Sequence, residues 1–349
     1  MAFILAAKVV ELTVSKGWDQ ARLAREAPID TDTVGRIFGT AKKGRKVYRC
    51  NGETAQRIAR AFQIEVILLL CDNQGRPLQG AREGDAVGSW WIRSALGQEW
   101  STAQNGLRWT DHELEHRHDH ERARGKRYDL SQPPAKEQRA VEACLKRHRH
   151  VCKLVGKHPN VVFNLDIFPD PRESTQWWVV DEWVSGATLG DLLERGPLPP
   201  SSLSQVMIDV ANGLDALHAA GIIRRDLTPR SILVSDNRAL LTDFELAKLP
   251  GTLPTVSRNA KWKDAIYVAG EVPGASELKP SCDLFSWSII LAHAVGGVRP
   301  DTPRHAKELL AQGRLPKKVA DFAVRCIVEP AQHRPQGCRE MLAVLRKWS

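Results

Sequence analysis

GIIRRDLTPRSILVSDNRALLTDFELAKL, residues 221–249, is the stretch of the chain that decides the fold. It places Asp226 five residues before Ser231, then two short apolar runs typical of strands, and then Asp243 followed by Phe244. In phosphoryl transfer, one carboxylate accepts the proton of the attacking hydroxyl while a second holds the metal ion that bridges the phosphates. The spacing of Asp226 and Asp243 is typical of such a pair.

The same stretch resembles the protein-kinase family. Arg224-Arg225-Asp226 stands at the catalytic-loop motif of that family, and Asp243-Phe244-Glu245 stands at its metal-binding motif. The resemblance covers residues 88–349 and implies an α+β bilobal protein-kinase-like fold, with a small lobe and hinge over residues 89–184 and a helical lobe over residues 185–349. Further landmarks follow in order: HPNVV from His158, Ala269-Gly270-Glu271, Asp283 in CDLFSW, and Arg334 in HRPQ, at the arginine that usually pairs with that glutamate.

Periodicity supports the same order of elements. Residues that are apolar at alternate positions or in short runs predict strands, and apolar residues at intervals of three and four predict helices. Strands followed by helices are typical of an α+β domain. The predicted strands are Trp90–Leu96, Leu107–Glu115, Val161–Ile167 and Gln176–Trp183, and the predicted helices lie within Leu203–Ala219, Leu284–Ala294, Val319–Cys326 and Met341–Leu345.

The resemblance implies ATP and Mg²⁺ as the cofactors of a competent site. Asp226 would be the catalytic base and Asp243 would hold the metal. Asp181 would stand at the gatekeeper position, and Glu182 to Val184 would face the adenine in the hinge.

The phosphate-anchoring lysine and its acidic partner are less sharply defined by the resemblance. The sequence offers Lys126 in RGKRYDL for the lysine, but another register puts Asp129 at that position. For the partner on the following helix it offers Glu142 in VEACLKRH, which lies unusually far ahead of His158.

Four positions depart from the pattern of an active kinase. A phosphate-covering loop needs several glycines because its backbone amides approach the phosphates closely, yet only Gly97 is present there. Ser231 stands where the second metal ligand is normally Asn, Thr228 replaces the catalytic-loop lysine, and Glu245 replaces a glycine. These departures favour a pseudokinase that has lost nucleotide chemistry.

The N-terminal segment, residues 1–72, predicts an all-α bundle of short helices. Asp19 is a plausible N-cap for one helix, and after the turn at Pro28 either Asp30 or Thr31 can cap the next. Two helices joined by a tight turn form a helix-turn-helix. Over residues 5–71 the segment resembles the phage-repressor/Cro (XRE-like) DNA-binding domain, with GWDQARLAREAPIDTDTVGRIF matching its second helix, turn and recognition helix, and with a longer basic loop, Gly39–Arg49, as a departure.

A recognition helix presents its N-terminal side chains to the base edges of the major groove. The resemblance therefore makes Asp32, Thr33 and Arg36 the base readers and Gln20 a phosphate contact, and it implies a homodimer on double-stranded DNA. The basic loop offers four phosphate-neutralising cations, Lys42, Lys43, Arg45 and Lys46. The alternative is a solvated loop on a protein-interaction bundle.

Composition limits the remaining classes. The chain has 349 residues, 42% hydrophobic and 26% charged, which predicts two folding units, here joined by a linker over residues 73–88, and excludes a disordered chain. A net charge of +9 favours an anionic partner such as nucleic acid. Seven cysteines without a C-x-x-C pair indicate a reducing compartment. Since no apolar run reaches the ~18–20 residues that span a bilayer, we expect a cytoplasmic, nucleoid-associated protein without a membrane partner.

Two further patterns have competing interpretations. His112, His116, His118 and His120 could meet a metal ion on one strand face, but a solvated β-hairpin is the preferred interpretation. The basic run from Lys146 to His150 could contact nucleic acid, although such runs are more often the solvated face of a helix.

The sequence thus favours a prokaryotic DNA-binding regulator whose degenerate kinase-like domain is a sensing scaffold for a ligand or a protein partner. The first alternative is an active Ser/Thr protein kinase recruited to DNA or to a DNA-bound defence or signalling complex. A second alternative makes the N-terminal helices a protein-interaction module.

Overall fold

The structure, a computed structural model, describes residues 2–43, 47–50, 52–63, 84–96, 101–102, 108–131, 135–173, 175–236, 238–250, 264–273 and 277–348. The chain divides into two units, Met1–Asp85 and Ala86–Ser349. Most of the predicted linker lies outside the described residues, but Ala86–Val87 at its end is a strand of the second unit. None of the described helices combines the length and the apolarity that a membrane crossing requires.

In its described residues, the first unit packs four helices around an apolar core. Its elements are β1 (Ala2–Leu5), α1 (Ala6–Ser15), α2 (Gln20–Glu26), α3 (Thr31–Lys42), β2 (Val47–Cys50) and α4 (Gly52–Phe62). Asp19 caps α2 by accepting a hydrogen bond from the Arg22 N–H, and Asp30 caps α3 by accepting one from Thr33, each at 2.6 Å. The predicted caps are therefore confirmed. The core residues Val9, Leu23, Val34, Ile37 and Ile58 are fully buried.

The prediction that this unit is all-helical is wrong. β1 and β2 form an antiparallel pair with Ala2 opposite Cys50, and Ile4 between them is fully buried. The predicted basic loop over residues 39–49 is shorter than expected, because α3 continues to Lys42 and β2 begins at Val47. The two strands are short and more than 40 residues apart in sequence, so neither segment shows an apolar alternation from which their pairing could be predicted.

The small lobe of the second unit is an antiparallel sheet with one long helix. It contains β3 (Ala86–Val87), β4 (Trp90–Ala95), β5 (Ser101–Thr102), β6 (Arg108–His116), β7 (Arg122–Asp129), α5 (Ala135–Val155), β8 (Asn164–Pro169) and β9 (Gln176–Glu182). The strand order is β3-β4-β6-β7-β9-β8, with β5 paired to β6. The four predicted strands are present with ends shifted by up to three residues. β7 was not predicted because cations on both of its faces hide the alternation.

The large lobe is helical around a three-stranded sheet. It contains β10 (Ala187–Thr188), α6 (Leu189–Arg195), α7 (Pro200–Ala219), β11 (Ile232–Ser235), β12 (Arg238–Leu241), α8 (Ser281–Gly296), α9 (Pro303–Gln312), α10 (Lys317–Cys326) and α11 (Cys338–Leu345). The predicted helical segments all fall within these helices. α7 lies close to β12 at Gly213, where a Cβ would be 2.9 Å from Leu241 Cδ1 of that strand.

Asp283 on α8 fixes the loop that follows α7. Its fully buried carboxylate accepts hydrogen bonds from the backbone N–H groups of Arg224 and Arg225, each at 2.8 Å, and pairs with His218 Nε2 at 2.8 Å. Arg334 pairs with Glu271 at 2.8 Å, as the sequence predicted. The backbone on the N-terminal side of Asp226 is therefore held by a buried anion.

We expect Asp283→Ala to destabilise the chain by about 3–5 kcal/mol, because it leaves buried donors without their charged acceptor. The measurement is the urea unfolding midpoint. Asp321→Ala, which removes an exposed carboxylate paired to Lys317, is the matched control and should leave the midpoint nearly unchanged. Equal midpoints for the two variants would contradict the role of Asp283.

Candidate active site

The two predicted aspartates lie between the two lobes. β12 ends at Leu241, and the chain then turns at Asp243, whose backbone adopts the left-handed conformation (φ 66°, ψ 60°), before a 3-10 turn over Phe244–Leu246. Phe244 is fully buried, and its N–H donates to His148 Nδ1 at 3.1 Å. Aspartate tolerates this left-handed conformation better than most residues, which is why it can stand at this turn.

Of the two residues that the sequence offered for the lysine position, Lys126 on β7 lies against Asp243. Its buried ammonium forms an ion pair with the Asp243 carboxylate. Burial acts to lower the pKa of Lys126, but Asp243 outweighs it and the pKa is raised. Burial likewise acts to raise the pKa of Asp243, and the ammonium lowers it. The alternative, Asp129, accepts a hydrogen bond from the Ser131 N–H at 2.8 Å and lies away from this pair.

Glu142 is not the partner of Lys126. It lies on α5, as predicted, but is within 3.7 Å of Lys146 one turn further along the same helix. The buried residues of α5 that follow Glu142 are instead Cys144, Leu145, Arg147, His148, Val151 and Cys152. The prediction failed because α5 turns a different face toward the rest of the lobe than the one that carries Glu142.

Glu245, in the turn that follows Asp243, is a second acidic residue at the site. Its carboxylate is largely buried and accepts a hydrogen bond from the Tyr128 hydroxyl at 2.7 Å. His148 Nδ1 lies 3.9 Å from it. The sequence identified Glu245 only as a missing glycine, although a charged residue in an apolar setting was a usable signal.

Asp226 lies in the loop fixed by Asp283. Its Oδ1 atom is buried and has no hydrogen-bond partner among the described residues. Burial raises the pKa of Asp226 to about 7; the guanidinium of Arg224 opposes this shift, and the carboxylates of Asp243 and Glu245 add to it. A carboxylate with a pKa near neutrality is suited to accept a proton from a hydroxyl.

Ser231, predicted at the second metal ligand, is committed to its own loop. Its Oγ accepts a hydrogen bond from the Thr228 N–H at 3.1 Å and donates one to the Thr228 carbonyl at 3.0 Å. Gly97, predicted at the phosphate-covering loop, lies outside the described residues. Besides Glu245, which is bonded to Tyr128, the described residues offer the carboxylates of Asp243 and Asp226 as anionic oxygens at the site.

These carboxylates fit a magnesium ion. Mg²⁺ in phosphate-binding sites is held by one or two carboxylates and completes its shell with water and phosphate oxygens. The buried Oδ1 of Asp226 has no described hydrogen-bond donor, and Asp226 experiences the charge of the Asp243 carboxylate. In the described part of the chain, no three His, Cys, Asp or Glu side chains form a metal cluster.

The hinge residues connect β9 to the large lobe. The Glu182 N–H donates to the Phe163 carbonyl at 2.9 Å, and its carboxylate accepts from the Phe163 N–H at 2.9 Å. Val184 packs against the apolar cluster of Val162, Leu233 and Leu240. The hinge is thus pinned on one side by Phe163.

Asp181, predicted at the gatekeeper position, is part of a buried polar network. It accepts a hydrogen bond from Asn164 Nδ2 at 2.9 Å and pairs with His148 Nε2 at 2.9 Å. Burial acts to lower the pKa of His148, but the Asp181 carboxylate outweighs it and holds the pKa well above its ordinary value. The prediction that the basic run 146–150 is a solvated face is wrong for Arg147 and His148, which are buried.

Among the described residues, the four clustered histidines do not form a group of three side chains that could hold a metal ion. They occupy the β6–β7 hairpin, where His112 is buried against Trp178 and burial lowers its pKa to about 4. His116 pairs with Asp119 and His120 pairs with Glu115, both at 2.7 Å. The hairpin interpretation therefore describes this segment.

In the N-terminal unit, the predicted base readers lie on the first turns of α3. Asp32 and Arg36 are exposed, but the Thr33 hydroxyl donates to Asp30 Oδ2 at 2.6 Å and is part of the cap. Gln20 is exposed at the start of α2, and Lys42 and Lys43 are exposed at the end of α3. Arg45 and Lys46 lie outside the described residues.

Comparison with known proteins identifies the second unit. A family model described as "Protein kinase domain" matches residues 115–346. The chain is 33% identical over 149 residues to "Serine/threonine-protein kinases drp72" of Corynebacterium efficiens, a match that covers 42% of this chain and 29% of that protein. It is 29% identical over 205 residues to "Probable serine/threonine-protein kinase CPE1738" of Clostridium perfringens, covering 54% of this chain and 30% of that protein. The matches thus span about a third of these relatives.

Among solved structures, the Mycobacterium tuberculosis PknI kinase domain has a TM-score of 0.57 and 16% identity, covering 77% of this chain and 99% of that one. At that identity the likeness shows the fold alone. The bilobal α+β fold expected from the sequence is confirmed. The family model begins at residue 115 and so does not include the N-terminal unit.

Proposed function

The chain belongs to the protein kinase domain family, and from that premise we propose that it is an ATP-dependent Ser/Thr protein kinase whose N-terminal unit recruits it to DNA. The observation that carries the enzymatic part is the juxtaposition of the Lys126–Asp243 ion pair with Asp226. The relatives named as serine/threonine-protein kinases favour this enzyme over the inert scaffold that the sequence alone preferred.

Each group of the site has a separable task. Asp226 accepts the proton of the attacking hydroxyl, because its carboxylate titrates near neutral pH. Lys126 orients the phosphates, and Asp243 is the carboxylate that would hold Mg²⁺. The bound ion would neutralise phosphate charge. Glu182 to Val184 provide the hinge along which the base lies.

A sensing scaffold remains the second candidate, and Ser231 is the observation that favours it. Its hydroxyl is bonded within its own loop instead of being left open toward the metal-binding carboxylate. Glu245 adds a further negative charge near Asp226 and Asp243. Both features weaken the retention of a triphosphate, so a slow enzyme is expected.

The enzyme is tested by γ-phosphate transfer from Mg²⁺–ATP to a Ser/Thr peptide library and to the chain itself. Asp226→Asn should lower the rate by about 10²–10⁴-fold, since it removes the base while nearly preserving shape. Asp236→Asn, at an exposed position of the neighbouring hairpin, should not. The rate should rise with pH through about 7, because deprotonated Asp226 is the active form. Nucleotide binding without transfer at any pH would favour the scaffold.

We further propose that the N-terminal unit binds duplex DNA as a homodimer. The support is a capped helix α3 that exposes Asp32 and Arg36 on its first turns, with Lys42 and Lys43 exposed at its other end. Side chains at a helix N-terminus are those that reach base edges when the helix enters the major groove, and cations flanking it neutralise phosphates. Two copies would read half-sites about one helical turn apart.

For DNA binding, Arg36→Ala should cost about 1–3 kcal/mol and relax the preference at one base pair, whereas Lys43→Ala should weaken all sequences about equally and lower the salt slope by about one. Lys8→Ala on α1 is the control. The measurement is fluorescence anisotropy of the full chain on duplexes selected from a random pool. Absence of duplex binding at low salt, or the same sequence-independent loss for both variants, would eliminate this proposal.

A further inference from the structure

The cleft-facing side of β7 carries more positive charge than Lys126 alone. Alternate residues of a strand share a face, so Arg124, Lys126 and Tyr128 point the same way. Lys126 bonds Asp243 and Tyr128 bonds Glu245, which places this face against the segment that carries the metal-binding carboxylate. The opposite face packs inside the small lobe, because a Cβ on Gly125 would lie 2.4 Å from Leu114.

Arg124 is the residue of this face that has donors to spare. Among the described residues its guanidinium makes one hydrogen bond, from Nε to Asp111 Oδ1 at 3.0 Å. Asp111 is itself held by the Trp109 Nε1–H at 3.2 Å. The Nε bond therefore orients the fork while both terminal amino groups have no acceptor in the described part of the chain.

The charges around the Arg124 guanidinium show which part of the site it lies near. The carboxylates of Asp243 and Asp181 both act on the Arg124 charge, so the guanidinium lies within electrostatic reach of the metal-binding turn and of the end of β9. Its side chain is 23% exposed, so a ligand can reach part of it. Lys126, about 7 Å along the same strand face, already has its ammonium against Asp243.

A planar fork with free N–H donors is matched by phosphate or carboxylate oxygens, which accept two parallel hydrogen bonds. The chain also lacks the usual source of phosphate donors, because Gln98-Glu99-Trp100 follows Gly97 where further glycines would let backbone amides approach phosphates. Backbone amides of a glycine-rich loop and the guanidinium of Arg124 would donate hydrogen bonds to the same ligand group, a phosphate.

We propose that Arg124 is a phosphate-binding residue of the cleft, which contacts the polyphosphate chain of the bound nucleotide beside Lys126 and replaces donors that a glycine-rich loop would supply. The inference rests on the proposed function, since it assumes that the cleft binds a nucleotide. Arg122, on the same face, is not equivalent, because it bonds Glu113 at 2.9 Å and lies over the Trp183 ring at 4.3 Å.

The experiment measures the dissociation constants of Mg²⁺–ATP and of adenosine by calorimetry with the full chain. Arg124→Gln should weaken Mg²⁺–ATP by roughly 10- to 100-fold, as expected for lost charge-assisted hydrogen bonds, and should leave adenosine within about twofold. Arg117→Gln, which removes an exposed cation from the turn between β6 and β7, should change neither constant.

A second variant separates phosphate binding from a structural role of the Arg124–Asp111 pair. Asp111→Asn keeps the guanidinium and removes a competing anion, so Mg²⁺–ATP should bind at least as tightly as in the unmodified chain. A merely structural pair would give weaker binding in both variants, and that result would overturn the inference.

The failures are distinguishable. If the unmodified chain binds neither Mg²⁺–ATP nor adenosine, the proposed nucleotide site itself is wrong, and this inference falls with it. If it binds both and Arg124→Gln leaves Mg²⁺–ATP unchanged, or weakens adenosine to the same extent, only the role of Arg124 in phosphate binding is refuted.

Discussion

The ion pair between Lys126 and Asp243 is the interaction on which the site depends, because it joins a strand of the small lobe to the turn that follows β12. Two charges of this kind are stable in a buried place only when each neutralises the other. The turn also sets the position of Phe244, whose N–H is bonded to His148, and of Glu245, whose carboxylate is bonded to Tyr128. Three residues in succession are thus tied to the small lobe or its helix.

Glu245, which stands where a glycine was expected, adds a third carboxylate to Asp226 and Asp243 around this turn. The mutual repulsion of the three carboxylates is a defining property of the site. Asp226 experiences the charges of both Asp243 and Glu245, and burial adds to their effect on its pKa. Arg224, which is fully buried and donates to the Thr242 carbonyl at 2.8 Å, opposes them. Asp226 is therefore balanced between charge states, while Asp243 is held ionised by Lys126. Two carboxylates with different environments can divide the tasks of proton transfer and cation binding.

Local chemistry explains which parts of this arrangement were predictable. The segment that contains Asp226 and Asp243 can be found from the sequence because the residue types and their spacing lie within one short stretch. Lys126, one of the candidates, lies against Asp243 in the structure. Glu142 was placed wrongly because its assignment required the rotational phase of a 21-residue helix, which depends on packing against distant elements. The same limit applies to His148, which appeared to belong to a solvated basic run, and to the β1–β2 pair, which needs a partner far along the chain.

Glu245 has a consequence for small molecules that target this cleft. Compounds that require Phe244 to leave its position must also move the adjacent carboxylate, which would separate Glu245 from Tyr128 and Asp243 from Lys126. Each uncompensated buried charge opposes that rearrangement strongly. Inhibitors that require a displaced phenylalanine, and that were designed for a chain with glycine in place of Glu245, should therefore bind this protein weakly. Ligands that bind while Phe244 stays in its buried position should retain affinity.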